Sequence, residues 1–180
     1  MSAFFEDIEV GDTLDLGEHT FTREDIVRFA EKYDPQAFHL SEEAAAQTHF
    51  GRLCASGWHT AAVFMKLWVA RHKALQEEAL AAGQTPANIG PSPGFEDLKW
   101  IRPVFVGDTL RYRRVVTGKT ESRTRPDWGL VHSDMQAFNQ DGTLVFTCKG
   151  TVVVERLKFF SDNQPAPLKP KLSPPPQLSR

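Results

Sequence analysis

The chain has 180 residues, 41% hydrophobic and 24% charged, with a net charge of −2. That balance predicts one globular domain with a sizeable core, and Lys and Arg residues scattered rather than gathered into a stripe argue against a nucleic-acid partner. Residues 1–7 lack the basic and apolar regions of a signal peptide, no uncharged run reaches membrane-spanning length, and Cys54 and Cys148 form neither a metal spacing nor a disulfide framework; a cytoplasmic protein with reduced thiols and no membrane contact is expected.

In chain order, the turn Val10-Gly11-Asp12 leads into a strand over 13–21, after which Thr22 caps a helix with Asp25 at its third position. Phe21 and Ile26 occupy staple positions, and Ile26, Phe29, Ala30 and Tyr33 repeat at helical spacing, which predicts one buried face. Pro35 disfavours helical geometry at Asp34 and ends the helix there. Ser41 caps a short second helix. Residues 57–70 are apolar nearly all round, which predicts a helix enclosed on most sides, with 71–82 as its extension. A loop rich in Gly and Pro then gives way to period-two segments over 95–102, 109–117, 130–138 and 143–155, with 139–142 as a hairpin connection. Phe95 and Trp100 read as core residues, and Arg111, Arg113 and Arg114 as the solvent face of a strand. Val-Gly-Asp-Thr-Leu occurs twice, at 10–14 and 106–110, before a strand each time, as reuse of one good turn. The parts describe an α+β fold, a domain over 1–160 with a curled antiparallel sheet around one long helix, followed by a Pro-rich tail over 161–180.

The chemistry concentrates in two segments. Asp34 and His39 stand five positions apart across a proline-bearing turn, a spacing that lets an acid and a base address one water from two directions. Gly51-Arg52-Leu53-Cys54-Ala55-Ser56-Gly57-Trp58 opens the long helix, whose free N–H groups can hold a developing oxyanion. That is equipment for adding water across a polarised double bond. Partial burial is expected to raise the Asp34 carboxyl toward neutrality. His49 and His59 have no carboxylate or Cys partner at ligand spacing, so no metal is expected.

Asp34-Pro35-x-x-x-His39, Phe50-Gly51-Arg52-Leu53-x-Ala55-x-Gly57 and Leu98-x-Trp100-x-x-Pro103-Val104-x-x-Gly107-Asp108-Thr109-Leu110 follow one another in order within residues 5–156. In this the chain resembles the MaoC-like dehydratases, the hotdog-fold group that includes (R)-specific enoyl-CoA hydratases. The resemblance implies a hotdog fold, Asp34 and His39 as catalytic residues, and the Gly57 N–H as an oxyanion donor. It also implies an acyl-CoA or acyl-carrier thioester substrate, no cofactor, and a homodimer or dimer of dimers. Many members carry His where this chain has Ser56, which makes Ser56 a candidate substrate contact. Trp58 is placed to narrow the acyl pocket, and Arg52 to meet a coenzyme A phosphate or to pair with a carboxylate at a subunit interface. A hotdog thioesterase and a non-catalytic acyl-CoA-binding subunit are the alternative readings.

Overall fold

A computed structural model describes residues 3–157 of the chain; the tail expected over 161–180 lies outside them. A short turn at Phe5–Asp7 precedes β1 (Thr13–Thr20), α1 (Arg23–Tyr33), α2 (Glu42–Ala46), α3 (Gly57–Ala81), β2 (Gly94–Trp100), β3 (Thr109–Glu121), β4 (Trp128–Phe138) and β5 (Leu144–Glu155). All pairings are antiparallel, in the order β1-β3-β4-β5-β2. The sheet and α3 form the hotdog arrangement that the sequence implied.

Local chemistry explains the elements. Thr22 Oγ1 accepts the Asp25 N–H at 3.1 Å, the expected cap of α1. The repeated turn is used twice in one way: Asp12 Oδ2 accepts the Glu9 N–H and Asp108 Oδ2 the Phe105 N–H, each at 2.8 Å, beside Gly11 and Gly107 at φ 101° and 90°. A side chain is strained at such φ, so glycine suits both turns. Each turn is also tied to the neighbouring chain: Gly11 N–H donates to Val116 O within β3, and Gly107 N–H to Phe21 O just past β1.

The helix α3 is anchored through Val63 and Phe64, which share a core with Phe21, Ile26, Leu110, Tyr112 and Phe146. The fully buried Tyr112 donates its hydroxyl to Thr60 O at 3.2 Å and so fixes the helix against the sheet. A second cluster of Phe5, Ile8, Val116, Val131, Val152 and Val154 lies further along the sheet, and Trp68 packs against both.

Four expectations are corrected. Tyr33 is exposed, because the last turn of α1 runs past the core and its ring rests only on Phe29. Along α3, Trp58, Met65 and Val69 are exposed, so the helix is covered on one side by this chain and open on the other. Phe95 and Trp100 are exposed too: five positions apart, they cannot share one face of a regular strand, and β2 is an edge strand exposed along nearly all its length, with a register shift between Glu96 and Lys99 and Asp97 at φ 51°. Arg114 is buried, sharing the inward positions of β3 with Leu110, Tyr112 and Val116, while Arg111 and Arg113 face out.

Candidate active site

Three segments distant in sequence meet at the start of α3. Ala55 N–H donates to Val104 O at 2.7 Å and Cys54 bridges to Phe105, which ties the segment before the helix to the one before β3. Leu53 N–H donates to Glu42 Oε2 at 3.0 Å, holding the same segment from the α2 side. The turn Ala37–His39 then brings the His39 ring to the Cys54 carbonyl, with Nδ1 at 2.7 Å. A carbonyl only accepts, so Nδ1 carries a proton and Nε2 is the nitrogen left for chemistry.

Nε2 of His39 lies 3.5 Å from Asp34 Oδ2. Asp34 is the C-cap of α1, its own N–H donating to Ala30 O, so the end of that helix aims the carboxylate. Ser56 donates its hydroxyl to Asp34 Oδ2 at 2.6 Å and Gln36 Nε2 donates to Oδ1 at 2.8 Å. Burial pushes the Asp34 carboxyl up, but the Ser56 and Gln36 hydrogen bonds and the neighbouring His39 together outweigh it and hold the group below the ordinary carboxylate range. The expected upward shift is therefore overturned: donors aimed at the charged form win over partial burial.

At the helix start Ser56 Oγ accepts the Trp58 N–H at 3.2 Å, and Ser56 O accepts the N–H groups of His59 and Thr60 at 3.0 and 3.2 Å. Of the first-turn donors this leaves the Gly57 N–H without a partner among the described residues. Gly57 has a second constraint. The Trp100 indole donates to Gly57 O at 2.8 Å, and a Cβ at Gly57 would fall 2.7 Å from Trp100 Nε1 and nearer still to the ring carbons.

Asp34, His39, Ser56, Gly57 and Trp58 line one cavity of about 380 Å³, walled on its far side by Trp100 and Pro103. The structure therefore brings five of the six candidate residues together. Ser56 is buried, with its hydroxyl engaged by Asp34 and by the helix, so it bears on a ligand through the carboxylate. Trp58 borders both this cavity and an apolar groove of about 660 Å³ that follows α3 past Met65 and Trp68. Arg52 is the one set apart: it is exposed, lies over the Phe105 ring at 3.8 Å and does not line the cavity. Gln36 and Trp100 were missed as site residues. Gln36, two positions from Asp34, carried a local signal; the Trp100 contact spans 43 positions, and Trp100, although it stands in the third motif, was read as a core residue.

Burial raises the Cys54 thiol to about 11, which keeps it protonated and unreactive. Among the described residues no group of three or more His, Cys, Asp or Glu is placed to hold a metal ion, and no helix is long and apolar enough to cross a membrane.

Comparison with known proteins places this geometry in a lineage. The family described as "MaoC like domain" matches residues 7–130. The crystal structure of a MaoC-like dehydratase from Rhodospirillum rubrum superposes with a TM-score of 0.72 at 37% identity, covering 87% of this chain and 99% of that one. Among curated sequences, the uncharacterized protein YdeM of Bacillus subtilis is 27% identical over 151 residues, which are 84% of this chain and 98% of YdeM. The mesaconyl-CoA hydratase of Cereibacter sphaeroides is 29% identical over 171 residues, 94% of this chain and 46% of that enzyme, so this chain spans about half its length.

Proposed function

The chain belongs to the MaoC-like domain family, and from that premise we propose that it hydrates a trans-2-enoyl thioester reversibly to the 3-hydroxyacyl thioester. The observation that carries the proposal is the Asp34–His39 pair, 3.5 Å apart and opening on the cavity that Gly57 also lines. In this reading the thioester oxygen accepts the Gly57 N–H at the positive end of α3, which withdraws electrons from the double bond and makes C3 electrophilic.

The proton inventory of the pair sets the roles. Asp34, held below its usual range, is ionised at neutral pH and accepts a hydrogen bond from the water. In this reading His39 is the acid, giving a proton from Nε2 while its Nδ1–H stays on the Cys54 carbonyl. As the water oxygen bonds to C3, Asp34 takes its proton and His39 delivers one to C2. The substrate gains one water, and the pair keeps its single proton. The residues reach coenzyme A or an acyl carrier through the thioester alone, and the step draws on no cofactor.

A panel of trans-2-enoyl-CoA thioesters, followed by loss of the conjugated-enoyl absorbance, tests the reading. Hydration of at least one chain length is the expected result. Release of free thiol in place of hydration would identify a thioesterase, and saturable binding without turnover an acyl-binding subunit.

The same proposal extends to assembly. The apolar groove along α3, with exposed Trp58, Met65 and Phe95, lies beside β2, an edge strand with one side unpaired. A second copy pairing there would bury both liabilities, making a homodimer. Light scattering at micromolar concentration should give twice the 20.2 kDa chain mass; a monomer would rule the assembly out.

A further inference from the structure

Arg114 is the most conspicuous group that this chemistry leaves unused. It is 9% exposed, its Nε has no hydrogen-bond partner, and no carboxylate lies within ion-pair distance among the described residues. Its neighbours on β3 are treated differently: Arg111 pairs with Asp15, and Arg113 donates to Gln136 Oε1 at 2.8 Å. A buried, unpaired guanidinium is expensive, and a protein that carries one has a use for its donors.

Arg114 lines a pocket of about 210 Å³ that also contains His72, with Leu75, Ile89 and Val154 as apolar walls. Asp12, the carboxylate in the lining, acts on Arg114 through its charge but makes no ion pair or hydrogen bond with it; it is exposed and its Oδ2 accepts the Glu9 N–H. His72 is half-buried, stacks on Trp68 with ring centres 3.7 Å apart, and directs Nδ1 to Trp68 O at 2.9 Å. The carbonyl requires a proton on Nδ1, which leaves Nε2 as the ring's available nitrogen. The Trp68 indole N–H is likewise buried without a partner among the described residues. Arg114 Nε and the Trp68 indole N–H are thus two buried donors left without an acceptor among the described residues.

We propose that the Arg114 pocket is a second binding site, for a small carboxylate held by the Arg114 guanidinium with His72 beside it. A planar carboxylate matches the guanidinium fork in two parallel hydrogen bonds, and the apolar walls suit a short methylene stem. Burial pushes the His72 imidazole down, and the Arg114 charge acts the same way against the Trp68 carbonyl bond; an anion at Arg114 would offset that charge and favour the ring as a further donor.

The position suggests one source for the carboxylate besides a free metabolite-sized anion. The pocket and the apolar groove share Val152, and Trp68 of the groove stacks on His72 of the pocket. From Gly57 to His72 the helix rises about 22 Å, so a long acyl chain lying in the groove would bring a terminal carboxylate to Arg114. Only this second source rests on the hydration reading.

Two arms of one experiment decide. In the first, succinate and glutarate are titrated calorimetrically into the full-length protein, with inorganic phosphate for comparison. Saturable binding that weakens at least tenfold in Arg114→Met, and also weakens in His72→Gln, is expected. Arg114→Met should melt at or above the wild-type temperature, since it replaces a buried unpaired charge with an apolar side chain of similar volume. No binding of either dicarboxylate to the folded wild type, or binding indifferent to Arg114→Met, overturns the proposal; should that variant misfold, His72→Gln carries the comparison. In the second arm, matched long-chain enoyl thioesters ending in methyl or in carboxylate are compared by kcat/KM. A carboxylate preference at least tenfold larger in the wild type than in Arg114→Met identifies the chain end as the source. An equal preference with succinate binding intact identifies a free anion. If neither long thioester is turned over while a shorter one is, the chain end is excluded as the source; if no enoyl thioester of any length is turned over, the hydration reading fails, and in both cases the calorimetric arm still judges the site.

Discussion

His39 and His59 are buried to nearly the same degree, 5% and 7% exposed, in opposite surroundings. His39 is gripped by the Cys54 carbonyl on one nitrogen and turned toward Asp34 with the other, at the wall of a cavity. His59 lies flat on Phe29, ring centres 4.5 Å apart, with Phe21 edge-on at 5.0 Å and an Nδ1 that has no partner among the described residues. One ring faces a carboxylate at a cavity wall and the other fills aromatic space. Burial is common to both, so what distinguishes a site is a fixed tautomer, a charged neighbour and a route for a ligand.

The strongest way to break this comparison is to remove each ring in turn. Asp34→Asn and His39→Ala should each lower kcat about 100- to 10,000-fold while the melting temperature stays close to that of the wild type. His59→Phe, which keeps an aromatic ring in the box, should retain most of the activity. Hydration assays beside thermal melts check all three, and comparable losses of kcat in His39→Ala and His59→Phe would show that the two histidines do not divide as their surroundings suggest.

Gly57 poses the same question at one residue, whose N–H is the proposed oxyanion donor and whose Cα packs against Trp100. The obvious control, Gly57→Ala, is spoiled by the indole, because overpacking of this kind costs about 1–3 kcal/mol even when the N–H survives. Trp100→Ala clears the space. In that background Gly57→Ala should keep its activity, and Gly57→Pro should lose about 100- to 1,000-fold in kcat through loss of the donor. Equal kcat in the two double variants would end the oxyanion role.

The third test uses acid. Burial, with His19 next in effect, pushes the His59 imidazole down to about 4, whereas an unfolded histidine titrates near 6.5. Between those values the unfolded chain binds the extra proton, so stability rises with pH there. The contribution is fully present above about 6.5, and on the order of 3 kcal/mol is lost as the pH falls to about 4. Chemical denaturation of the wild type and His59→Phe at pH 7 and pH 5 checks this. The variant should show the smaller decline, and parallel declines would place the acid sensitivity elsewhere.

How much of this was readable beforehand depended on the range of the interaction. Caps and turns are local: Thr22 with Asp25, the two Val-Gly-Asp-Thr turns and the end of α1 at Asp34 all lie where their residues dictated. The site motifs named Asp34, His39 and Gly57, and the fold gathers them in one cavity. The Ser56 bond to Asp34 spans 22 positions and is the largest of the effects that lower the carboxylate, which no local reading supplies. Arg114 is different, because its signal was present: the alternation of Leu110, Tyr112 and Val116 marks its face as the inward one. Reading three arginines as one cluster hid a period-two pattern. Phe95 and Trp100 were misread because β2 is an exposed edge strand: their odd separation already barred a shared inward face, while the irregularity at Asp97 was announced by no residue type.

The smallest effect sharpens the comparison most, because Ser56 acts on His39's partner while also serving the helix. Its hydroxyl donates to Asp34 Oδ2 at 2.6 Å and accepts the Trp58 N–H at 3.2 Å. Ser56→Ala removes both bonds and should cost about 1 kcal/mol as a lost cap, whereas Ser56→Gly should cost only a few tenths, about 0.3 kcal/mol, on that account. The two variants are alike in depriving the carboxylate of its donor. Asp34 is held below its ordinary range in the folded protein, so its stabilising effect is present above the unfolded carboxylate value and fades as the pH falls through the folded one. Losing the donor moves the folded value up toward the ordinary range. The acid limb of the kcat/KM profile should therefore shift to higher pH by the same amount in Ser56→Ala and Ser56→Gly, although their melting temperatures differ. A shift that tracked stability instead, large in the alanine variant and small in the glycine variant, would mean that Ser56 serves the helix alone and that the Asp34 carboxylate is set without it.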